Sequence, residues 1–220
     1  MPDNIPEKIA FEYDFVKKIG EGANGETWLA KSRINRKLAA IKCLKLNAAN
    51  DLKSFELFKR EVALLKSIQI EGVPKFYDAY IPDALEQSFL IQEYIDAPSI
   101  QDIMDLDMQK SPDADPTDAG ETHARDDRET PSSNEATTSS ASQKRSKLFY
   151  EKVTLLIAKK IATILVLLQT SYSPPIIHRD IKPSNILYNV QTQEVYLIDF
   201  GSVANPQKRT GGSAIAGTFG

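Results

Sequence analysis

Alternating apolar and polar positions in the first 95 residues predict a small sheet. Short runs rich in β-branched and aromatic residues, separated by glycine, proline and charged residues, have the length and composition of strands. The predicted strands are residues 11–20, 26–32, 37–46, 75–81 and 88–94. Residues 52–68 repeat apolar side chains at helical spacing and predict a helix. An antiparallel sheet with one helix packed against it is the simplest arrangement.

The C-terminal half begins with a long predicted helix. Residues 148–168 carry apolar side chains on nearly every side of such a helix, and two prolines follow it. Residues 185–188 and 195–198 have the pattern of short strands, whereas residues 201–220 are polar and predict a loop. Since a helix that is apolar all round needs several partners, we expect the isolated chain to expose an apolar surface, and either to be marginally stable or to associate.

A compositional break separates the two halves. Residues 109–146 contain no Val, Ile, Leu, Met, Phe, Trp, Tyr or Cys. Such a segment cannot bury enough surface to offset a backbone ordering entropy of about 1–2 kcal/mol per residue. We therefore predict a disordered insert over this range.

Composition and charge limit the class of protein. The chain has 220 residues, of which 41% are hydrophobic and 26% charged, with a formal net charge of -3. This suits one globular domain or two small lobes, and it gives no broad field that would attract a nucleic acid. The single cysteine cannot form an internal disulfide, and the longest apolar run is far below the roughly 18 residues of a membrane span. We expect a cytoplasmic setting with no membrane segment in this chain.

Three glycines, Gly20, Gly22 and Gly25, lie between the first two predicted strands. Glycines at such a place let the backbone approach a ligand and direct N–H groups at phosphate oxygens. They also suit an ordinary hairpin turn. A dinucleotide-binding fold is excluded, because residues 26–30 predict a strand where that fold requires a helix.

A lysine and a glutamate occur at positions that are otherwise apolar. Lys42 shares one face of the third predicted strand with Leu38, Ala40 and Leu44. Glu61 lies beside the core-facing stripe of the predicted helix, where an unpaired carboxylate is costly. We predict that the two pair, which would hold an ammonium near the glycine segment; Lys42 extending to the sheet edge is the alternative.

The strongest chemical signal lies in residues 178–185 (HRDIKPSN) and 199–201 (DFG). Asp180 can accept a proton from a hydroxyl, and Asn185 and Asp199 supply the oxygen ligands that Mg²⁺ prefers. Each residue alone also suits a turn or a cap. Their combination at this spacing indicates an active site.

With these motifs the sequence resembles the protein kinase family over about residues 11–220, the insert excepted. Lys182 resembles the serine/threonine class, and the run 174–185 is similar to cyanobacterial members. The resemblance implies an α+β, two-lobe kinase fold: a five-stranded antiparallel N-lobe sheet with one helix, and an incomplete, mainly helical C-lobe. The implied organisation is an N-lobe with hinge at 1–95, the start of the C-lobe at 96–108, the insert at 109–146 and a partial C-lobe at 147–220.

The resemblance also implies Mg·ATP binding and transfer of the γ-phosphoryl group to a serine or threonine hydroxyl of a protein substrate. The implied catalytic residues are Asp180, Lys182, Lys42 and Glu61. The implied ATP-binding residues are Gly20, Gly22, Gly25, Thr27, Ala40, Lys42, Gln92, Glu93 and Ile95. The implied magnesium ligands are Asn185 and Asp199. Thr27 stands where the family usually has valine, a change that removes no catalytic group.

The sequence stops at Gly220, before the family's Ala-Pro-Glu motif. We therefore expect a truncated catalytic domain; the alternative is an inactive nucleotide-binding or interaction fragment of a kinase. We also expect that self-phosphorylation at Thr210 or Ser213 would order the final loop by pairing with Arg179.

Overall fold

The computed structural model describes residues 2, 5–22, 25–44, 51–82, 87–109 and 135–203. The helices are α1 (Glu7–Glu12), α2 (Asp51–Ser67), α3 (Ile100–Gln109), α4 (Glu135–Thr170) and a short 3-10 helix (Pro183–Asn185). The strands are β1 (Tyr13–Gly22), β2 (Gly25–Ser32), β3 (Leu38–Leu44), β4 (Phe76–Tyr80), β5 (Ser88–Glu93), β6 (Ile186–Tyr188) and β7 (Val195–Leu197).

The N-lobe is the predicted five-stranded antiparallel sheet. Its strand order is β1-β2-β3-β5-β4, and α2 packs against one face. Each predicted strand is present, with ends that differ by a few residues. The predicted two-lobe α+β fold is confirmed.

One N-lobe helix was not predicted. Helix α1 occupies the start of the first predicted strand, so β1 begins at Tyr13. Ile9 of α1 is 3% exposed and packs on the outer face of the sheet, and Lys8 forms an ion pair of 2.7 Å with Asp78 of β4. A helix of six residues is too short for periodicity to reveal, and it is held here by this packing.

Helix α3 starts the C-lobe and begins at a capping box. The Ser99 hydroxyl accepts a hydrogen bond from the Asp102 N–H at 3.0 Å, and the Asp102 carboxylate accepts one from the Ser99 N–H at 2.9 Å. This reciprocal pair satisfies N–H groups that a helix start leaves without partners.

Helix α4 corrects the boundary of the predicted insert. It begins at Glu135, so the backbone of residues 135–146 is helical rather than disordered. This range contains no proline or glycine that would interrupt a helix. The apolar residues that follow it stabilise the helix, which therefore extends through this range. Residues 110–134 of the insert, and the predicted loop at 204–220 with Thr210 and Ser213, lie outside the described residues.

The core lies on both faces of the sheet. The inner cluster joins α2 and β5 to α4, β6, β7 and Phe200, so it runs through both lobes. The core-facing stripe of α2 lies in it, as four apolar residues at helical spacing: Phe55, Phe58, Val62 and Leu65. The outer cluster, on the opposite face, contains Ile9, Ala30, Ala39, Ile41, Cys43, Phe89 and Ile91.

Only one side of α4 is covered among the described residues. Ile161, Ile164 and Leu168 lie in the inner cluster, whereas Leu155 is 72% exposed and Val166 is 58% exposed. The exposed apolar surface predicted for this helix is confirmed. The stretch Glu151–Thr170 is long and apolar enough to cross a membrane, a test that a core helix also passes.

Candidate active site

Five of the predicted ATP-binding residues share one face of the sheet. The register places Gly20 opposite Thr27 and Thr27 opposite Lys42. Ala40, two residues before Lys42, lies opposite Gln92 of β5. Since residues directly opposite in antiparallel strands project from the same face, and residues two apart do as well, all five face the inner side.

The three glycines have different local surroundings. Gly22 ends β1 and pairs with Gly25, which begins β2. A side-chain carbon on Gly25 would collide with the carbonyl oxygen of Cys43, so β3 requires glycine there. Among the described residues, no atom lies within 4 Å of that position on Gly22, so none of them blocks the approach of a ligand. The tip of the turn, residues 23 and 24, lies outside the described residues.

Three charged side chains meet between the lobes. The Lys42 Nζ lies 2.9 and 2.8 Å from the two carboxylate oxygens of Glu61, and 3.0 Å from Oδ1 of Asp199. Glu61 is 4% exposed, whereas the Lys42 side chain is 32% exposed. The predicted pairing of Lys42 with Glu61 is confirmed; the contact with Asp199 depends on how the lobes pack.

The pKa values of this cluster follow from burial and charge. Burial works to lower the pKa of Lys42, but the carboxylates of Glu61 and Asp199 outweigh it and raise that pKa above 10.5. Burial works to raise the pKa of Asp199, yet Lys42 brings that pKa below 3.8. Burial raises the pKa of Glu61 against the attraction of the ammonium. At neutral pH Lys42 is a cation and Asp199 an anion.

The loop that follows α4 gathers three more predicted residues. Oδ2 of Asp180 accepts hydrogen bonds from Lys182 Nζ at 2.8 Å and from Asn185 Nδ2 at 3.0 Å. The 3-10 helix places Asn185, whose backbone N–H donates to the Lys182 carbonyl at 3.0 Å. Among the residues described, Oδ1 of Asp180 has no hydrogen-bond partner. This oxygen is therefore available to an acceptor hydroxyl.

His178 connects this loop to the strand before Asp199. Its Nε2 lies 3.1 Å from the Ile198 carbonyl oxygen, and its Nδ1 accepts a hydrogen bond from the Asp180 N–H at 3.3 Å. Its ring packs edge-on against Phe200, with centroids 4.8 Å apart. The sequence motif contains His178, but its anchoring role depends on long-range contacts that the sequence does not display.

Two residues of the site have strained backbones. Arg179 has a φ of 68° and Asp199 a φ of 63°, in the left-handed region that favours glycine. Such conformations cost about 1–3 kcal/mol each and persist only where the surroundings impose them. Here Lys42 holds the Asp199 carboxylate, and the buried His178 fixes the chain beside Arg179. Strain at these two positions is typical of functional sites.

The end of β5 presents the predicted hinge. The Glu93 N–H donates to the Lys75 carbonyl at 2.8 Å, so a ligand contact from Glu93 must come from its carbonyl. The Ile95 carbonyl accepts from the Ala97 N–H at 2.9 Å. Within the described part of the chain, the Ile95 N–H has no partner. These two groups have the donor and acceptor character that an adenine edge requires.

The predicted magnesium ligands are brought together by the backbone. The Ile198 N–H donates to the Asn185 carbonyl at 2.9 Å, which places Asn185 beside the residue that precedes Asp199. Oδ1 of Asp199 contacts Lys42, and the nitrogen of the Asn185 amide contacts Asp180. One oxygen of each side chain remains. The described residues contain no cluster of three or more His, Cys, Asp or Glu, so a metal here would take its other ligands from water or substrate.

This site and fold define a phosphoryl-transfer class of protein, and the comparison with protein families agrees. Residues 13–212 match the family described as protein tyrosine and serine/threonine kinase. The chain belongs to this family, whose members generally use ATP and Mg²⁺ on protein substrates.

Two curated relatives show the level of similarity. The chain is 29% identical over 219 residues to serine/threonine-protein kinase D of Synechocystis, and 24% identical over 208 residues to serine/threonine-protein kinase nekl-2 of Caenorhabditis elegans. These alignments cover 96% and 94% of this chain. They span 33% and 48% of the relatives' own lengths.

Proposed function

We propose that this chain acts as a serine/threonine protein kinase, transferring the γ-phosphoryl group of ATP to a serine or threonine hydroxyl of a protein. The observation that carries the proposal is the joint placement of Lys42, Glu61 and Asp199 at one point between the lobes. Asp180, Lys182 and Asn185 form a second group, and Asn185 is hydrogen-bonded to the strand that leads to Asp199. The names of both relatives support the serine/threonine class.

Lys42 would hold the α- and β-phosphates of ATP. Glu61 fixes the ammonium by two contacts, so its position costs little entropy when the nucleotide binds. The open backbone at Gly22 would admit the phosphates above it, and the groups at Glu93 and Ile95 would bind the adenine. A rigid cation at this place lowers the barrier through positioning and charge stabilisation.

Asp180 would orient the acceptor hydroxyl and take its proton. Lys182 and Asn185 both bind Oδ2, which turns Oδ1 toward the acceptor. Lys182, with its side chain 43% exposed, can also contact the transferring phosphoryl group. The lysine would then balance the negative charge that develops as the bond to ADP breaks.

The donor set fits Mg²⁺, because the oxygens left on Asn185 and Asp199 are hard ligands and the site has no soft ones. When bound, Mg²⁺ would neutralise charge on the β- and γ-phosphates. Lys42 holds the Asp199 carboxylate, and Asp180 holds the Asn185 side chain by accepting hydrogen bonds from its amide nitrogen.

The test is Mg²⁺-dependent transfer of labelled γ-phosphate from ATP to the chain itself and to a generic basic protein. Asp199→Asn and Asp180→Asn are the inactive controls, and nucleotide binding is measured in parallel. Transfer that both substitutions abolish supports the proposal. Mg²⁺-dependent nucleotide binding without transfer, in folded protein, contradicts it in favour of a nucleotide-binding fragment.

We also propose self-phosphorylation at Thr210 or Ser213. Arg179 supports this, since its side chain is exposed and forms no ion pair with any described residue. A phosphate on either residue would give this guanidinium a partner. Mass spectrometry of the chain after incubation with Mg·ATP would find both sites unmodified if the proposal is wrong.

A further inference from the structure

The segment between α2 and β4, residues 68–75, joins two parts of the site. At one end the Ile68 N–H continues the helix by donating to the Leu64 carbonyl at 3.1 Å. At the other end the Lys75 carbonyl accepts the Glu93 N–H at 2.8 Å. We call residues 68–75 the connecting loop. A displacement of this loop would therefore also displace α2 and the end of β5.

Two hydrogen bonds attach the connecting loop to the C-lobe, and Ile68 and Val73 of the loop also pack in the inner cluster. The Leu197 N–H donates to the Gly72 carbonyl at 2.8 Å, and the Gln69 N–H donates to the Tyr172 hydroxyl at 2.9 Å. Gly72 has a φ of 84°, and a side-chain carbon there would collide with Ile164 of α4. The first attachment is made by backbone and close packing. The second depends on one side-chain hydroxyl.

We propose that Tyr172 is a positioning residue, whose hydroxyl fixes the end of α2 and thereby keeps Glu61 against Lys42. Its catalytic consequence depends on the function proposed above, but its effect on the ion pair does not. Gln69 follows Glu61 by eight residues, about 12 Å along a helix axis at 1.5 Å per residue. Because α2 is continuous to Ser67, a shift at Gln69 moves the helix as a unit.

With the Gly72 hydrogen bond and apolar packing alone, the α2 side of the loop would keep no hydrogen bond to the C-lobe. Gly72 lies three residues beyond Gln69, and Val73 closes a turn by donating to the Ile70 carbonyl at 3.2 Å. The Tyr172 hydrogen bond holds the α2 side of this turn. Without it the Gln69 N–H has no acceptor among the described residues, so apolar packing alone holds this side of the loop and the end of α2.

Tyr172→Phe tests the proposal, because it removes the hydroxyl and keeps the ring packed against the inner cluster. Unfolding equilibrium constants are measured for the wild type, Tyr172→Phe, Glu61→Gln and the double variant. Loss of one hydrogen bond should raise the unfolding constant about 2–10-fold. If Tyr172 acts through Glu61, the double variant should show a several-fold smaller effect than the product of the single effects.

The kinetic readout separates positioning from stability. At a temperature where every variant is folded, Tyr172→Phe should lower kcat/KM for ATP several-fold, and should lower it no further in the Glu61→Gln background. The matched control is Tyr196→Phe on β7. Its hydroxyl has one hydrogen-bond partner among the described residues, Glu194 at 3.4 Å, so this substitution should leave both measurements unchanged.

Two results would overturn the proposal. One is a set of unfolding constants in which the effects of Tyr172→Phe and Glu61→Gln simply multiply. The other is a Tyr172→Phe variant that loses stability but keeps wild-type kcat/KM. A wild type that transfers no phosphate overturns the proposed function, and the unfolding constants still decide the role of Tyr172.

Discussion

The Nε2 of His178 lies 3.1 Å from the carbonyl oxygen of Ile198, while its Nδ1 accepts the N–H of Asp180 at 3.3 Å. The backbone N–H beside Nδ1 fixes the tautomer, so Nε2 carries the proton and the imidazole is neutral. His178 is 1% exposed, and one uncharged ring thereby joins Asp180 to the strand that ends at Asp199.

Stability should fall as the pH drops below about 6.5. Burial lowers the pKa of His178 from its ordinary value of 6.5, although Ile198, Asp199 and Asp180 favour its charged form and Lys182 opposes it. Just below pH 6.5 the unfolded chain therefore binds more protons than the folded chain. The contribution of His178 to the unfolding free energy is at its maximum above that pH. As the pH falls further, this contribution declines until the pH reaches the pKa of His178 in the folded chain, and below that pH it no longer changes.

Denaturant unfolding between pH 5 and 8 measures this slope. His178→Gln should flatten it, since glutamine can still donate to Ile198 but does not titrate. His123→Gln, at the only other histidine, is the matched control and should keep the slope. A wild-type curve that is flat across this range would contradict the assignment.

Glu61→Gln should reduce phosphoryl transfer by at least tenfold and destabilise the fold by about 1–3 kcal/mol. Removing one member of a fully buried pair costs about 3–5 kcal/mol. The cost is smaller here because Lys42 is 32% exposed and keeps Asp199 as a partner. Activity assays and urea titrations check both figures; Glu56→Gln, on the exposed side of α2, should change neither.

Gly25→Ala should lower the stability of the fold, whereas Gly22→Ala should weaken ATP binding. The first would push a methyl group into the Cys43 carbonyl and should cost about 1–3 kcal/mol, as overpacking does. The second has open space and should change stability by less than about 0.5 kcal/mol. Gly22→Ala should instead weaken ATP binding several-fold. Unchanged affinity in that variant would leave the glycines as an ordinary hairpin turn.

The exposed face of α4 should cause the purified chain to associate. Leu155 and Val166 are 72% and 58% exposed, so substituting both with glutamine removes apolar surface without touching the inner cluster. Light scattering and dye binding should then shift toward a monomer with less apolar surface. Lys152→Gln with Lys159→Gln is the control for altered charge. A wild-type monomer that binds no dye would refute the prediction.

Patterns that arise within one element were predictable from the sequence. Alternation gave the five strands, helical spacing gave the buried stripe of α2, and a carboxylate beside that stripe required a cation. The ends of elements were less predictable, because packing against other elements decides them. Burial of Ile9 on the outer face stabilises α1. Helix α4 begins at Glu135, before the predicted start at residue 148, because the apolar stretch beyond that residue stabilises the helix.

The sequence by itself determined the chemistry: the motif residues, their order, and the need of the Glu61 carboxylate for a cationic partner. Only the tertiary structure decided the relations between distant segments. It placed Asp199 3.0 Å from Lys42, gave His178 its two partners, and attached the end of α2 to Tyr172. The reason is physical: periodicity reports which face of an element is buried, whereas the partner on that face is chosen by the packing of the whole chain.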